Sequence, residues 1–212
     1  MHLFLGVWRG KLLKIQIGFL VFLPLRGLAI DTPLPFSFTT QYEVYSVEGD
    51  TVADIEKSFE DEKPLFLKVR EADGYTGWRY DYWTDDDTCE IKAFSLDITY
   101  KLPQLKKSAV SPEITELYRE YIKQLYRHEE THCALTVMSV NEMYLAFEKG
   151  QKGHCAEQGK KVAEHVEKIS GDNERFDTYT NHGEIELAVS PFGEERYHSV
   201  CKIPFSGIVS SL

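Results

Sequence analysis

Hydrophobic and polar positions alternate over three stretches in the first half of the chain, which predicts strands. The alternation covers Phe36–Val47, Gly74–Trp83 and, with one slip of phase, Cys89–Tyr100. An acidic turn separates the second stretch from the third, so we expect these two to pair as an antiparallel hairpin.

Between the first two strands, apolar residues at helical spacing predict a helix. It begins at Asp50 or Thr51, either of which can cap it, and it ends near Glu62, before Pro64. Residues 65–69 are apolar enough for a short strand, and an irregular connection fits equally well.

In the second half of the chain, apolar residues recur at the spacing of a helix. A long helix is predicted over residues 112–147 and a second one over residues 154–169. A turn at 170–173, a polar and aromatic loop at 175–183, a closing strand at 185–189 and a weakly patterned tail follow. The whole pattern predicts an α+β fold, in which a small antiparallel sheet packs on the long helix and on a second, C-terminal helix.

The long helix contains the pattern H-E-x-x-H at His128, Glu129 and His132. Residues four apart lie on one face of a helix, so both imidazoles can bind one ion, and a glutamate beside them can act on a metal-bound water without being a ligand. The two histidines share an apolar stripe with Leu125 and Leu135, which points them toward the core, where unpaired imidazoles would be costly. The pattern therefore predicts a Zn2+ site rather than a solvated polar face.

A catalytic zinc site needs a third protein ligand and an open position for water. Leu135 and Met138 stand where the metzincin extension requires glycine and histidine, which excludes that subclass. A glutamate from the following helix is another common ligand, but Glu148 and Glu157 are imperfectly placed for that role.

Histidines further along the chain are the remaining candidates for the third ligand. His154 and His165 lie among charged residues of a helix that we expect to be solvated. His182 lies in a loop beside Gly183, which would allow the backbone to approach a metal closely. From the spacing alone, His182 could equally be a metal ligand or an ordinary histidine in a turn.

The first 29 residues predict an exported protein. Basic residues precede an apolar run of about eleven residues, and small residues follow it at the positions that a signal peptidase reads. Residues 1–29 are therefore predicted to be a signal peptide and residues 30–212 a single zinc metallopeptidase-like domain, secreted or periplasmic. An uncleaved anchor is the alternative, although the apolar run is short for a membrane span.

The predicted mature chain is strongly acidic. Residues 1–29 contain four basic residues and no acidic one, so their removal leaves 20 basic against 34 acidic residues. This charge argues against nucleic acid or an anionic membrane as a partner, and it leaves a peptide or protein substrate open.

Four cysteines lie in the predicted mature chain, an even number that is compatible with disulfides in an oxidising compartment. Cys89 and Cys155 are a plausible pair that would join the hairpin to the last helix. Cys133 is expected to be a buried small residue or to pair with Cys201.

Four features together resemble a bacterial family that was named as a domain of unknown function and whose members are described as predicted secreted zinc-dependent proteases. They are the strand W-R-Y-x-Y-W, a Cys-led strand that ends in Leu-Pro, the H-E-x-x-H helix, and the segment Phe176–Gly183. The resemblance covers about residues 38–190. Phe176 stands where the family has tyrosine, which keeps an aromatic ring at that position.

The resemblance implies a zincin-like domain with a defined site. In it, His128 and His132 bind Zn2+, Glu129 is the general base, and His182 is the third ligand. Asp177 could orient the imidazole of a ligand, and it could equally well cap the loop.

Two further polar residues lie close to His182 in the sequence. Tyr179 or Asn181 could donate a hydrogen bond to an oxyanion, but fixing the loop is the stronger expectation for both.

Three functions follow from the sequence. The first is an exported zinc metallopeptidase, the second a non-catalytic binding or scaffold domain that contains zinc, and the third an amidase that acts on cell-wall amide bonds.

Overall fold

The computed structural model describes residues 33–105, 112–149 and 155–204. They belong to a compact unit that spans Asp31–Leu212. The predicted signal peptide lies outside the described residues.

Three strands form one sheet in the order β1-β3-β2. β1 spans Ser37–Val47, β2 spans Tyr75–Thr84 and β3 spans Ile91–Leu105. β2 and β3 pair antiparallel, as the alternating pattern predicts, and the slip of phase corresponds to a shift of register between Trp83 and Thr84.

β1 pairs with β3 in parallel, from Ser37 opposite Ser95 to Val47 opposite Leu105. The sheet is therefore mixed and not wholly antiparallel as predicted, because the intervening helices and β2 provide the long connection that a parallel pair requires. The α+β class is confirmed.

β3 continues to Leu105, past the Leu-Pro pair that was predicted to end it. Pro103 lies opposite Tyr45 of β1, whereas the pairing with β2 stops at Lys101. No strand lies on the second side of β3 at this point among the described residues, so the N–H that proline lacks is not needed there.

Two short helices connect β1 to β2. α1 spans Val52–Glu62 and begins with a capping box between Thr51 and Asp54, so Thr51 rather than Asp50 is the cap. α2 spans Leu65–Arg70, so the expected strand or irregular connection is in fact a helix. Pro64 accounts for this difference, because its carbonyl accepts the first helical hydrogen bonds and its fixed φ suits a helix start.

Two long helices follow the sheet. α3 spans Pro112–Glu148 and α4 spans Cys155–Thr180. α3 packs on β2 and β3, and α4 packs on α3. α4 includes the predicted turn at 170–173 and most of the predicted loop, since its buried positions Ile169, Phe176 and Thr180 continue the helical period. The predicted closing strand at 185–189 is not formed.

Both disulfides join parts that are distant in the sequence. Cys89 is bonded to Cys155, which ties the β2–β3 connection to the start of α4, and Cys133 of α3 is bonded to Cys201 of the C-terminal segment. The first pairing confirms the expectation, and the second decides between the two that were open for Cys133. Disulfides of this kind are typical of extracytoplasmic proteins. No described helix is both long and apolar enough to cross a membrane.

Candidate metal centre

The two motif histidines converge from adjacent turns of α3. The Nε2 atoms of His128 and His132 lie 3.0 Å apart, and the ring planes are nearly perpendicular. The His128 side chain is 8% exposed and the His132 side chain 12%. Two ring nitrogens with their lone pairs aimed at one point repel each other unless a proton or a cation lies between them.

Asp177 of α4 brings a carboxylate to the same point. Its Oδ1 atom lies 3.2 Å from Nε2 of His128 and 3.0 Å from Nε2 of His132. Among the described residues, these three side chains form the group whose donor atoms could hold a metal ion. Two imidazoles and a carboxylate are a ligand set that zinc accepts, and the Asp177 side chain is 32% exposed, so the group is open on one side.

The position of Asp177 follows from the unexpected length of α4. Ser-Gly-Asp-Asn at 170–173 has turn composition, which predicted a loop at residue 177. In the structure this stretch is helical, and the Asp172 carboxylate is paired with Lys168 and Arg175 one turn to either side. The spacing of Asn173 and Asp177, four residues apart on a face with Phe176, is the signal that could have indicated a second helical ligand.

A hydrogen bond from α4 orients His132. Its Nδ1 atom lies 2.6 Å from Oδ1 of Asn173, whose amide nitrogen donates to the carbonyl of Ile169 over 2.8 Å. An amide oxygen only accepts hydrogen bonds, so His132 carries a proton on Nδ1 and directs Nε2 toward Asp177.

Charge within the group shifts the pKa values of its members. Burial opposes protonation of His132, but the Asp177 carboxylate and the negative charge of Glu129 outweigh it and raise the pKa of His132. The pKa of Asp177 is lowered, because its contacts with His128 and His132 outweigh the burial of the carboxylate. The site therefore favours positive charge between these side chains.

His128 is fixed by packing. The Phe176 ring stacks on the imidazole with centroids 4.9 Å apart, and Gly183 lies so close that a β-carbon there would be 3.1 Å from Cγ of His128. The Gly183 carbonyl accepts a hydrogen bond of 2.7 Å from the Gln124 amide. The Nδ1 atom of His128 is buried and has no hydrogen-bond partner among the described residues.

Glu129 is 3% exposed and faces β2. Its Oε2 atom accepts a hydrogen bond of 2.6 Å from the Thr76 hydroxyl. A β-carbon at Gly74, the residue before β2, would lie only 2.7 Å from Oε1, so a larger residue there would collide with the carboxylate.

The structure does not bring the His182 side chain into the group with Asp177. His182 is exposed and follows the end of α4 in a left-handed conformation, with a φ of 54°, and its backbone N–H donates to the Asp177 carbonyl. Asn181 is also left-handed, and its amide bonds to Glu184, which is a loop contact. Tyr179 is 52% exposed and packs against Phe192.

Comparison with known proteins identifies a family. The model of the family described as "Bacterial protein of unknown function (DUF922)" matches residues 42–183, which include α3 and the site residues of α4. No curated protein and no solved structure matches the chain significantly.

Proposed function

The chain belongs to the DUF922 family of bacterial proteins of unknown function, and we propose that it is a zinc-dependent peptidase. The observation that carries the proposal is the convergence of His128, His132 and Asp177 on one point beside Glu129. A structural zinc site has four protein ligands and is closed, whereas three ligands with an open side are typical of a catalytic one.

Zinc is the ion that suits these donors best. Neutral imidazole nitrogen together with one carboxylate oxygen is a common ligand set for catalytic zinc, whereas Mg2+ and Ca2+ prefer oxygen ligands throughout. When bound, zinc would supply a Lewis acid that polarises the substrate carbonyl and acidifies a water molecule. The ligand set proposed here replaces His182, which the resemblance implied, with Asp177.

Residues of the chain itself would transfer the proton and hold the ligands in position. Glu129 takes the proton from the attacking water and passes it to the amine that leaves. Asn173 holds the tautomer of His132, and Phe176 with Gly183 fixes the ring of His128. The long α3 carries the base and two of the ligands on one rigid element, which keeps their spacing constant.

A peptide is the substrate that the surroundings of the site favour. β2 lies at the edge of the sheet, and its first residues touch the Glu129 side chain. An extended peptide can add to such an edge through backbone hydrogen bonds, which places one of its amide bonds beside the site. An exported enzyme with this chemistry would act outside the cytoplasm, in keeping with the two disulfides.

The proposal is tested with purified protein that has been loaded with zinc, using the wild type and Glu129→Gln. We expect both to bind one equivalent of zinc, and we expect the wild type alone to cleave a broad library of unstructured peptides. Glu129→Gln keeps the size of the side chain and removes the base, so a loss of at least about 100-fold in kcat is expected. The exposed Glu174→Gln is the matched control, and it should cleave like the wild type.

Two experimental outcomes would contradict the proposed peptidase activity and support a different function. A zinc-loaded wild type that cleaves no peptide but releases products from cell-wall peptide cross-links would be an amidase of the cell wall. A wild type without hydrolytic activity on either substrate, in which Glu129→Gln changes no cellular phenotype, would be a zinc-containing binding or scaffold domain.

A further inference from the structure

We infer that Thr76 is a positioning residue for the general base, and that it fixes the Glu129 carboxylate in one orientation next to the three proposed ligands. The inference rests on the proposed function for its effect on catalysis. The contact itself is a property of the fold, and it can be tested without metal or substrate.

The geometry of the contact is that of a strong hydrogen bond. Thr76 Oγ1 lies 2.6 Å from Oε2 of Glu129 and 3.0 Å from the backbone carbonyl of the same residue. The hydroxyl has one hydrogen to donate, and a bond from a hydroxyl to a carboxylate is short, between roughly 2.5 and 2.7 Å. The hydrogen therefore belongs to the carboxylate contact.

The second carboxylate oxygen is restrained by sterics. Gly74 leaves just enough room for Oε1, since a β-carbon at residue 74 would approach it to 2.7 Å. Gly74 directly precedes β2 and Thr76 is the second residue of the strand, so the chain passes the carboxylate closely at both positions. A glutamate has three rotatable bonds, and the hydrogen bond from Thr76 favours the rotamer that fits the space beside Gly74.

The segment that holds Glu129 is itself anchored at Asp73. The Asp73 carboxylate forms an ion pair with the buried Lys63 and accepts a hydrogen bond from Tyr121 of α3. Its backbone carbonyl accepts a hydrogen bond of 2.8 Å from Tyr45 of β1. These contacts join β1, the C-cap of α1 and α3 to the residue before Gly74, so the start of β2 cannot move away from Glu129 without breaking them.

A base that is held in place loses less entropy when it takes up the proton, and it is present in the productive orientation in every molecule. Loss of the Thr76 hydroxyl should therefore reduce kcat and leave zinc binding and KM nearly unchanged, because the hydroxyl touches none of the three proposed ligands. We expect a reduction of about 10-fold, which is smaller than the loss on removal of the base itself.

The test uses Thr76→Val, which removes the hydroxyl but keeps the branched shape, and Thr76→Ser, which keeps the hydroxyl. Thr99→Val on β3 is the matched control, since Thr99 lies in the same sheet and pairs with Gly77 rather than with Thr76. Thr76→Val should lose about 10-fold in kcat with full zinc content, whereas Thr76→Ser and Thr99→Val should stay within about twofold of the wild type. An unchanged kcat in Thr76→Val would overturn the inference.

A second measurement separates this inference from the proposed function. In the metal-free protein, Thr76→Val should lower the Tm by about 2–4 °C, and in the Glu129→Ala background the same substitution should leave the Tm unchanged. If the wild type proves inactive, the proposed function fails, but a Tm difference that depends on Glu129 still supports the contact. A Tm effect that is the same in both backgrounds contradicts it.

Discussion

Nδ1 of His132 donates a hydrogen bond to Oδ1 of Asn173, 2.6 Å away on the neighbouring helix. This bond selects the tautomer whose Nε2 faces His128 and Asp177, and the Asn173 amide is in turn held by the carbonyl of Ile169. The relationship joins α3 to α4 at the point where the proposed ligands meet.

Removal of this hydrogen bond should weaken metal binding. We expect Asn173→Ala to lower the affinity for zinc by roughly 10- to 100-fold, because the imidazole can then rotate or take the other tautomer. The measurement is competition with a chromophoric chelator. Glu174→Ala, an exposed neighbour on the same helix, should bind zinc like the wild type. An Asn173→Ala protein with wild-type affinity would show that the bond has no part in holding the metal.

The identity of the third ligand can be tested by comparing the zinc affinity of two variants, Asp177→Ala and His182→Ala. Asp177→Ala should lose zinc affinity by more than the roughly 100-fold expected for an outer partner, whereas the exposed His182→Ala should keep it. Equilibrium dialysis followed by mass spectrometry of the metal content distinguishes them. The opposite result, with zinc lost in His182→Ala and kept in Asp177→Ala, would restore the ligand set that the family resemblance implied.

The packing of Gly183 against His128 can be tested with Gly193 as the control position. Both have a positive φ, of 88° and 81°, so alanine strains the backbone at either position. Only at Gly183 does the added methyl group approach the imidazole, whereas nothing lies within 4 Å at Gly193. We expect both variants to unfold at lower temperature and only Gly183→Ala to lose zinc affinity. Equal zinc affinity in the two variants would mean that the loop gives way without moving His128.

The two disulfides should contribute similarly to stability and differently to the site. They close loops with sequence separations of 66 and 68, so loss of either should lower the free energy of unfolding by about 4 kcal/mol. Cys133 is next to His132 on α3, and its partner segment also reaches Glu130 through the Ile203 N–H. We therefore expect Cys133→Ser with Cys201→Ser to weaken zinc binding as well, and Cys89→Ser with Cys155→Ser to leave it unchanged. Urea unfolding and zinc titration of the two double variants are the measurements.

Buried tyrosines should make the protein sensitive to alkali. Burial raises the pKa values of Tyr45, Tyr100, Tyr118, Tyr121 and Tyr126 above their usual value. In the unfolded chain these phenols ionise near pH 10, so their stabilising contribution is complete below that pH and is lost as the pH rises further. The urea midpoint should therefore fall steeply above about pH 10.

Tyr118 provides the control for this effect. Its hydroxyl is buried and has no hydrogen-bond partner among the described residues. Tyr118→Phe should raise stability at neutral pH and flatten the loss above pH 10, since it removes a polar group that is costly to bury. The exposed Tyr179→Phe should change neither. A midpoint that stays constant up to pH 11 would be inconsistent with the expected titration.

Much of the fold and half of the candidate site could be predicted from local patterns. Hydrophobic periodicity gave the β2–β3 hairpin and the long α3, and the H-E-x-x-H spacing placed His128 and His132 on one face of it. These features depend on residues that are close in sequence, for which the geometry of one helix or one hairpin suffices. The parallel pairing of β1 with β3 depends on how the chain returns after α1 and α2, which no local pattern specifies.

The sequence by itself determined the motif, the face of the helix that carries it and the even set of cysteines. Only the tertiary structure decided that α4 continues through 170–180 and brings Asp177, rather than the side chain of His182, to the two imidazoles. The turn composition of Ser170–Asn173 was overridden because Ile169, Phe176 and Thr180 bury one face against the rest of the core. That burial is worth more than a local preference for a turn, and it can be recognised only when the surface that covers α4 is known.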